Sequence, residues 1–126
     1  RTDWDWEIDP TGIRVMLREI YQNYYLPILI TENGVACHEH SDGEEVQDNA
    51  RIAYLDGHIR ECGKAIEDGV ELMGYCVWSF LDLMSTGHGA YKRYGLVYVD
   101  YETEERKRIP KKSYRWYKEL IEKYEV

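Results

Sequence analysis

Two short apolar runs, Ile28-Leu29-Ile30 and Met73 to Trp78, each end in polar residues, and one amphipathic helix lies between them. The first run has the length and branching of a buried strand, with Pro27 and Gly34 as breakers on either side. In the intervening segment Ile52, Leu55, Ile59, Cys62 and Ile66 recur at gaps of three and four, the period of a helix face. Asp48 or Asn49 is placed to cap it, and Gly69 suits its end. Strand, helix, strand in this order predicts parallel pairing with helical cover. Strands that are apolar on both faces belong to such sheets.

A further helix fits Thr11 to Tyr24, with Ile13, Leu17, Ile20 and Tyr24 on one face. Leu96 to Asp100 reads as a short strand, the charged run Glu102 to Arg108 as a solvated turn, and Ser113 to Tyr124 as a last amphipathic helix. His38 to Asn49 has no apolar period and reads as a surface loop. The fold class is therefore α/β. Two parallel core strands leave both sheet edges and much apolar surface uncovered. That is the physical reason to read the 126 residues as a segment of a larger barrel, without a separate domain.

A net charge of −8 argues against non-specific nucleic-acid binding. There is no apolar run long enough to span a bilayer and no basic-then-apolar leader, so the expectation is a soluble, cytoplasmic chain that does not engage membranes. Cys37, Cys62 and Cys76 are odd in number and lack metal-ligand spacing. They read as free thiols of a reducing compartment, with a disulfide as the alternative. His38 and His40 are close in sequence but have no third ligand beside them, and surface loop is the reading we adopt. Arg1 to Asp9 is tryptophan-rich and irregular.

The reactive groups of parallel α/β folds gather at the carboxyl ends of strands, and Glu32 falls at such an end. Thr31-Glu32-Asn33-Gly34 after an apolar strand resembles the nucleophile motif of the family 1 glycoside hydrolases. The resemblance runs along almost the whole chain. Trp4 to Pro10 is similar to the segment before that family's seventh barrel strand, and Asp48 to His58 to the helix that follows the strand. Val77-Trp78-Ser79-Phe80-Leu81-Asp82 resembles the end of the eighth strand, and Lys92 to Asp100 and Pro110 to Tyr117 resemble the closing segments. The resemblance implies the C-terminal part of a (β/α)₈ TIM barrel, holding strands seven and eight with their helices. No Asn-Glu-Pro occurs in these residues, and that motif carries the family's acid/base glutamate.

Retaining glycosidases use two carboxyl groups about 5–5.5 Å apart, one as nucleophile and one as acid and then base. The resemblance makes Glu32 the nucleophile, which needs donors nearby to keep it ionised in a desolvated site. Asn33 is expected to orient the strand end and Gly34 to permit a backbone turn. Trp78, which otherwise reads as a core indole, is expected by the resemblance to lie against the sugar at the cleaved position.

Substrate class is carried by Asp82 to Gly95. The family's plain β-glucosidases usually have glutamate where Ser85 stands; its 6-phospho-β-glycosidases have serine, followed by a lysine and a tyrosine that grip the 6-phosphate. Ser85, Lys92 and Tyr94 stand at that spacing. A carboxylate at position 85 would repel a dianion, whereas a hydroxyl donates to it, and Lys92 supplies a point charge. The competing reading makes Ser85 a small loop residue, Lys92 solvated and Tyr94 a packing ring. Thr86 stands where the family's plain β-glucosidases and phospho-β-galactosidases frequently have tryptophan, and by that resemblance it leans toward 6-phospho-glucosides over 6-phospho-galactosides. His88 lies between two glycines and reads as a solvated loop residue, with a place bordering the aglycone side as the alternative.

The expected ligand is thus a phosphorylated β-glucoside, and the resemblance calls for no metal or organic cofactor. The alternatives are a plain β-glucosidase or β-galactosidase of the same family, or a non-catalytic module that binds sugar or a partner chain. Bare strand edges would favour self-association or pairing with an N-terminal barrel portion. With the acid/base glutamate absent from these residues, the isolated chain is expected to be inactive.

Overall fold

The computed structural model describes residues 1–124; Glu125 and Val126, part of the 1–126 segment, lie outside the described residues. The elements follow in the order α1 (Pro10–Tyr24), β1 (Ile28–Asn33), α2 (Asn49–Glu67), β2 (Leu72–Val77), β3 (Val97–Val99), β4 (Arg108–Pro110) and α3 (Lys112–Tyr124). β1 and β2 pair in parallel across the α2 crossover, with Ile28 opposite Leu72 and Asn33 opposite Val77. β3 and β4 form a separate antiparallel ribbon.

The core lies between one face of the parallel pair and the two helices that cover it. Leu17, Cys62, Ala65 and Val70 are its buried centre, with Ile13, Tyr21, Ile28, Ile30, Leu72 and Tyr75 packed around them. Both helix faces differ from the sequence expectation. On α1 the inward row is Ile13, Leu17 and Tyr21, spaced by four, while Ile20 and Tyr24 are exposed. On α2 the buried row is Arg51, Leu55, His58, Cys62 and Ala65, and Ile66 is exposed. The apolar period located the helix, but two polar side chains occupy its inner stripe. Asp48 is the N-cap residue of α2, yet its carboxylate does not cap the helix; it turns to Arg51 and to the start of α3.

β1 is not buried on both faces. Its exposure alternates, and Leu29 is 49% exposed, as is Met73 of β2 at 70%. The helices of this chain cover one face of a two-stranded ribbon, so the opposite face keeps its apolar side chains in the open. The charged run after β3 is the exposed turn expected, except that its last residue, Arg108, begins β4. Asp100 caps a tight bend through Glu102 N–H and the Thr103 hydroxyl, each at 2.9 Å, and the chain returns to pair Arg108 with Val99. Among the described residues no helix is long and apolar enough to cross a membrane. All three cysteines are free, Cys37 and Cys62 buried and Cys76 exposed.

Candidate active site

Glu32 and Trp78 stand at neighbouring strand ends. The backbone N–H of Trp78 donates to the carbonyl of Asn33 at 2.9 Å, extending the β1–β2 pairing by one residue. Around Glu32 the register is irregular: from Ile30 to Asn33 the chain takes three residue steps against two from Tyr75 to Val77. An extra residue of this kind bends a strand and re-aims a side chain. Glu32 is exposed there, and Trp78 is 37% exposed.

Gly34 follows at a point of close approach. A Cβ on it would lie 1.8 Å from the Trp78 carbonyl oxygen, so only hydrogen fits between the two backbones. The glycine serves this contact, not the turn expected from sequence. Asn33 is fixed from two sides: its side-chain oxygen accepts from the Tyr75 hydroxyl at 2.5 Å, and its amide donates to the Tyr54 hydroxyl at 3.4 Å. Burial pushes both phenols up from their ordinary range, Tyr75 strongly, which keeps them neutral. His58 stacks on Tyr54 at 3.9 Å between ring centroids, and its Nδ1 lies 2.7 Å from the Tyr54 carbonyl. Asn33 therefore orients the strand end, as expected. The donors expected beside Glu32 itself are not supplied by the described residues.

The Lys92–Tyr94 segment reaches the same end through backbone bonds. Ser79 N–H donates to the Tyr94 carbonyl at 3.1 Å, and Leu96 N–H to the Ser79 carbonyl at 2.9 Å. Lys92 is 5% exposed, which removes the reading of a solvated side chain. Its ammonium sits over the rings of Trp6 at 4.0 Å, Trp4 at 5.0 Å and Tyr94 at 5.7 Å. Cation–π contacts of this kind contribute about 0.5–2 kcal/mol each. A small cavity of about 40 Å³ adjoins it, bordered by Trp4, Trp6, Gly34 and Tyr54.

Ser85 lies in a tight turn in which it and Gly89 exchange two backbone bonds of 2.9 Å. The turn carries His88, whose ring is 5.9 Å from Trp4, so the loop leans on the aromatic cluster around Lys92. Lys92 and Tyr94 thus share one cluster beside the end of β2. The Ser85 turn meets that cluster through His88 and Trp4, and the Ser85 hydroxyl makes no bond to Lys92 or Tyr94. Trp4 also stacks on His38 at 4.3 Å, which accounts for one histidine of the 38–40 pair. Among the described residues no three metal-ligating side chains cluster.

Sequence reasoning gave no role to Trp4 and Trp6. It also missed a buried ionic network beneath the site. Asp82 receives Arg93 Nη1 and Lys111 Nζ at 2.8 and 2.9 Å, and Gly95 N–H at 2.8 Å. Lys111 also pairs with Glu39. Arg51 holds Glu39 at 2.6 Å and Asp48 at 2.9 Å, and Asp48 accepts from the Ser113 N–H and hydroxyl. Three acids face three bases, all in the interior, so the charges balance. Burial opposes the Arg51 charge, but Glu39 and its neighbours outweigh it and its pKa is raised. Gly95 packs against this network, since a Cβ on it would fall 2.2 Å from the Asp82 nitrogen. The missed signal was the set of charged residues inside apolar motifs: Arg51 on a helix stripe, Asp82 after an apolar strand, Lys111 before a helix.

The sequence profile of glycosyl hydrolase family 1 matches residues 1–126. The chain is 49% identical over 123 residues to the aryl-phospho-beta-D-glucosidase BglC of Bacillus subtilis (strain 168), covering 95% of this chain and 26% of that protein. It is 46% identical over 130 residues to the 6-phospho-beta-galactosidase of Staphylococcus haemolyticus, covering all of this chain and 27% of that one. Among solved structures, the family 1 β-glucosidase from Thermotoga maritima superposes with a TM-score of 0.92 at 41% identity, over the whole of this chain and 28% of the other. Its complex with isofagomine lactam gives 0.90 at 44% identity, over 97% and 28%. The chain spans about a quarter of the length of these relatives. Its strands, helices and motifs are those of one part of a TIM barrel, and the chain belongs to glycosyl hydrolase family 1.

Proposed function

We propose that this segment supplies the nucleophile and the phosphate grip of a retaining 6-phospho-β-glucosidase. In a complete barrel the Glu32 carboxylate attacks the anomeric carbon and forms a glycosyl ester as the glycosidic C–O bond breaks. The leaving oxygen takes a proton from a second carboxyl group, which then draws a proton from the water that hydrolyses the ester. Trp78 offers its indole face to the apolar C–H face of the sugar. The phosphate at the far end of the ring meets Ser85 and Tyr94, and it meets Lys92 once the Trp4 and Trp6 rings that cover the ammonium here turn aside.

The observation that carries this reading is the convergence of Lys92 and Tyr94 on the end of β2 beside Trp78, whose N–H joins the strand end that carries Glu32, with an uncharged Ser85 in the adjoining turn. The names of the two curated relatives agree with a phosphorylated sugar. Thr86 leans the preference toward the glucoside. Phosphorylated β-glucosides arise inside cells through phosphorylating import, so the cytoplasm is where such an enzyme meets its substrate. Residues 1–126 form part of one catalytic barrel in this reading. Without the acid/base glutamate they do not turn over substrate alone. The bare face and edges of the β1–β2 pair seat the remainder of the barrel or a second copy.

A plain β-glucosidase is the second reading, favoured by the superposition on the Thermotoga maritima enzyme. Hydrolysis of p-nitrophenyl β-glucoside and of its 6-phosphate by a complete barrel carrying this segment separates the two. The proposal expects the phosphorylated compound to turn over faster; the reverse order removes the phosphate assignment.

A further inference from the structure

We propose that Arg51 is a positioning residue for substrate discrimination, setting the distance between the strand end that carries Glu32 and the segment that carries Lys92 and Tyr94. The inference rests on the phospho-glycosidase reading above. Arg51 lies in the first turn of α2 and is 1% exposed. Its Nη1 donates to the carbonyls of Val35 and, at 3.0 Å, of Tyr94. Its Nη2 donates to Glu39 at 2.6 Å and to the Arg93 carbonyl at 3.2 Å, and its Nε to Asp48 at 2.9 Å.

Three of these five acceptors are backbone carbonyls from two segments far apart in sequence. Val35 follows Glu32 by three positions, and Arg93 and Tyr94 adjoin Lys92. The segments meet elsewhere through Cys37 and Arg93, whose N–H groups and carbonyls exchange bonds of 2.9 and 3.4 Å. Arg51 joins them on the side nearer Glu32 and Tyr94.

A buried ion pair alone would not demand arginine, because apolar replacements of such pairs are often neutral for stability. A rigid planar fork is the group that spans carbonyls of two segments at once, which a lysine ammonium on a flexible stem does not reproduce. In a pyranose 6-phosphate the exocyclic C5–C6–O6–P arm lets the phosphate reach only a limited range of distances from the anomeric carbon, so the protein selects one of them. Discrimination by the phosphate therefore depends on how rigidly its grip is spaced from the attacking carboxylate.

The test is Arg51→Lys in a complete barrel carrying this segment, with kcat and KM measured for p-nitrophenyl β-glucoside 6-phosphate and for the unphosphorylated compound. The lysine keeps the charge opposite Glu39 and Asp48 but loses the fork. The proposal expects the ratio of kcat/KM values, phosphorylated over unphosphorylated, to fall roughly tenfold or more, chiefly through a higher KM for the phosphorylated compound. Equal losses on both compounds, with the ratio unchanged, would show a merely structural role and overturn it. Should Arg51→Lys fail to fold, the pair Arg51→Gln with Glu39→Gln removes one charge of each sign, keeps the interior neutral and gives the same readout. A parent enzyme with no preference for the 6-phosphate overturns the underlying reading, and this inference with it. A parent that prefers the phosphate beside a variant that keeps the full ratio overturns the role of Arg51 alone.

Discussion

Gly34 and Trp78 meet backbone to backbone: a methyl group on Gly34 would lie 1.8 Å from the Trp78 carbonyl oxygen. This contact lets the chain after Glu32 cross the end of β2 without forcing the two strand ends apart. Gly34→Ala is therefore expected to cost at least about 1–3 kcal/mol, as overpacking does. It should also separate Glu32 from Trp78, lowering kcat more than stability alone explains. Denaturant midpoints and steady-state rates of a complete barrel check both; a variant with unchanged midpoint and rate would show that the contact is slack.

The ionic network makes a second prediction. Lys111 is fully buried and pairs with both Glu39 and Asp82. Lys111→Met leaves two carboxylates short of a partner in the interior, which is expected to cost about 3–5 kcal/mol. Arg60→Gln, which removes an exposed pair with Asp56, should leave the denaturant midpoint close to its original value. Similar midpoints for the two variants would contradict the network's role.

Stability should fall in alkali for a specific reason. Burial, the main cause, pushes the Cys37 and Cys62 thiols from 9.0 up to about 11. Each folded-state pKa is raised, so the contribution is intact below pH 9 and is lost as pH rises toward 11. The loss is on the order of 2–3 kcal/mol per thiol across that window. Cys62→Ala should flatten the slope of unfolding free energy against pH there, while lowering its value at neutral pH. An unchanged slope would contradict this account. Thiol labelling at neutral pH should modify the exposed Cys76 well before the other two.

Ser85→Glu places a carboxylate where the proposed phosphate binds. The preference for phosphorylated over unphosphorylated glucoside should fall by at least about 1.4 kcal/mol, roughly tenfold. Paired rate measurements on the two substrates check this, and an unchanged ratio would remove Ser85 from the site.

The strand–helix–strand frame and the position of Glu32 were legible because an apolar run with breakers and a helical period are local signals. What escaped was set by partners distant in sequence. Arg51 and His58 lie on the inner stripe of α2 because carbonyls and rings from other segments await them there, and a hydrophobic period cannot register that. The competing reading of Lys92 as a solvated side chain falls only when Trp4 and Trp6, more than eighty residues earlier, fold over it. β4 was hidden because Arg108 and Pro110 carry little strand propensity; the pairing with Val97 to Val99 makes it a strand. Leu29 and Met73 are as apolar as a barrel strand requires, but they lie exposed because the helices of this chain cover only the other face of the β1–β2 pair, which an apolar run does not report.

The nucleophile assignment is tested most directly by trapping. A 2-deoxy-2-fluoro-β-glucoside 6-phosphate with an activated leaving group should form its glycosyl ester readily and hydrolyse it slowly, because the fluorine disfavours an oxocarbenium-like transition state. Incubated with a complete barrel carrying this segment, it should add one fluorosugar phosphate to the intact mass, and peptide mapping should place the ester on Glu32. An adduct on any other side chain, or turnover that survives Glu32→Gln, would contradict the account.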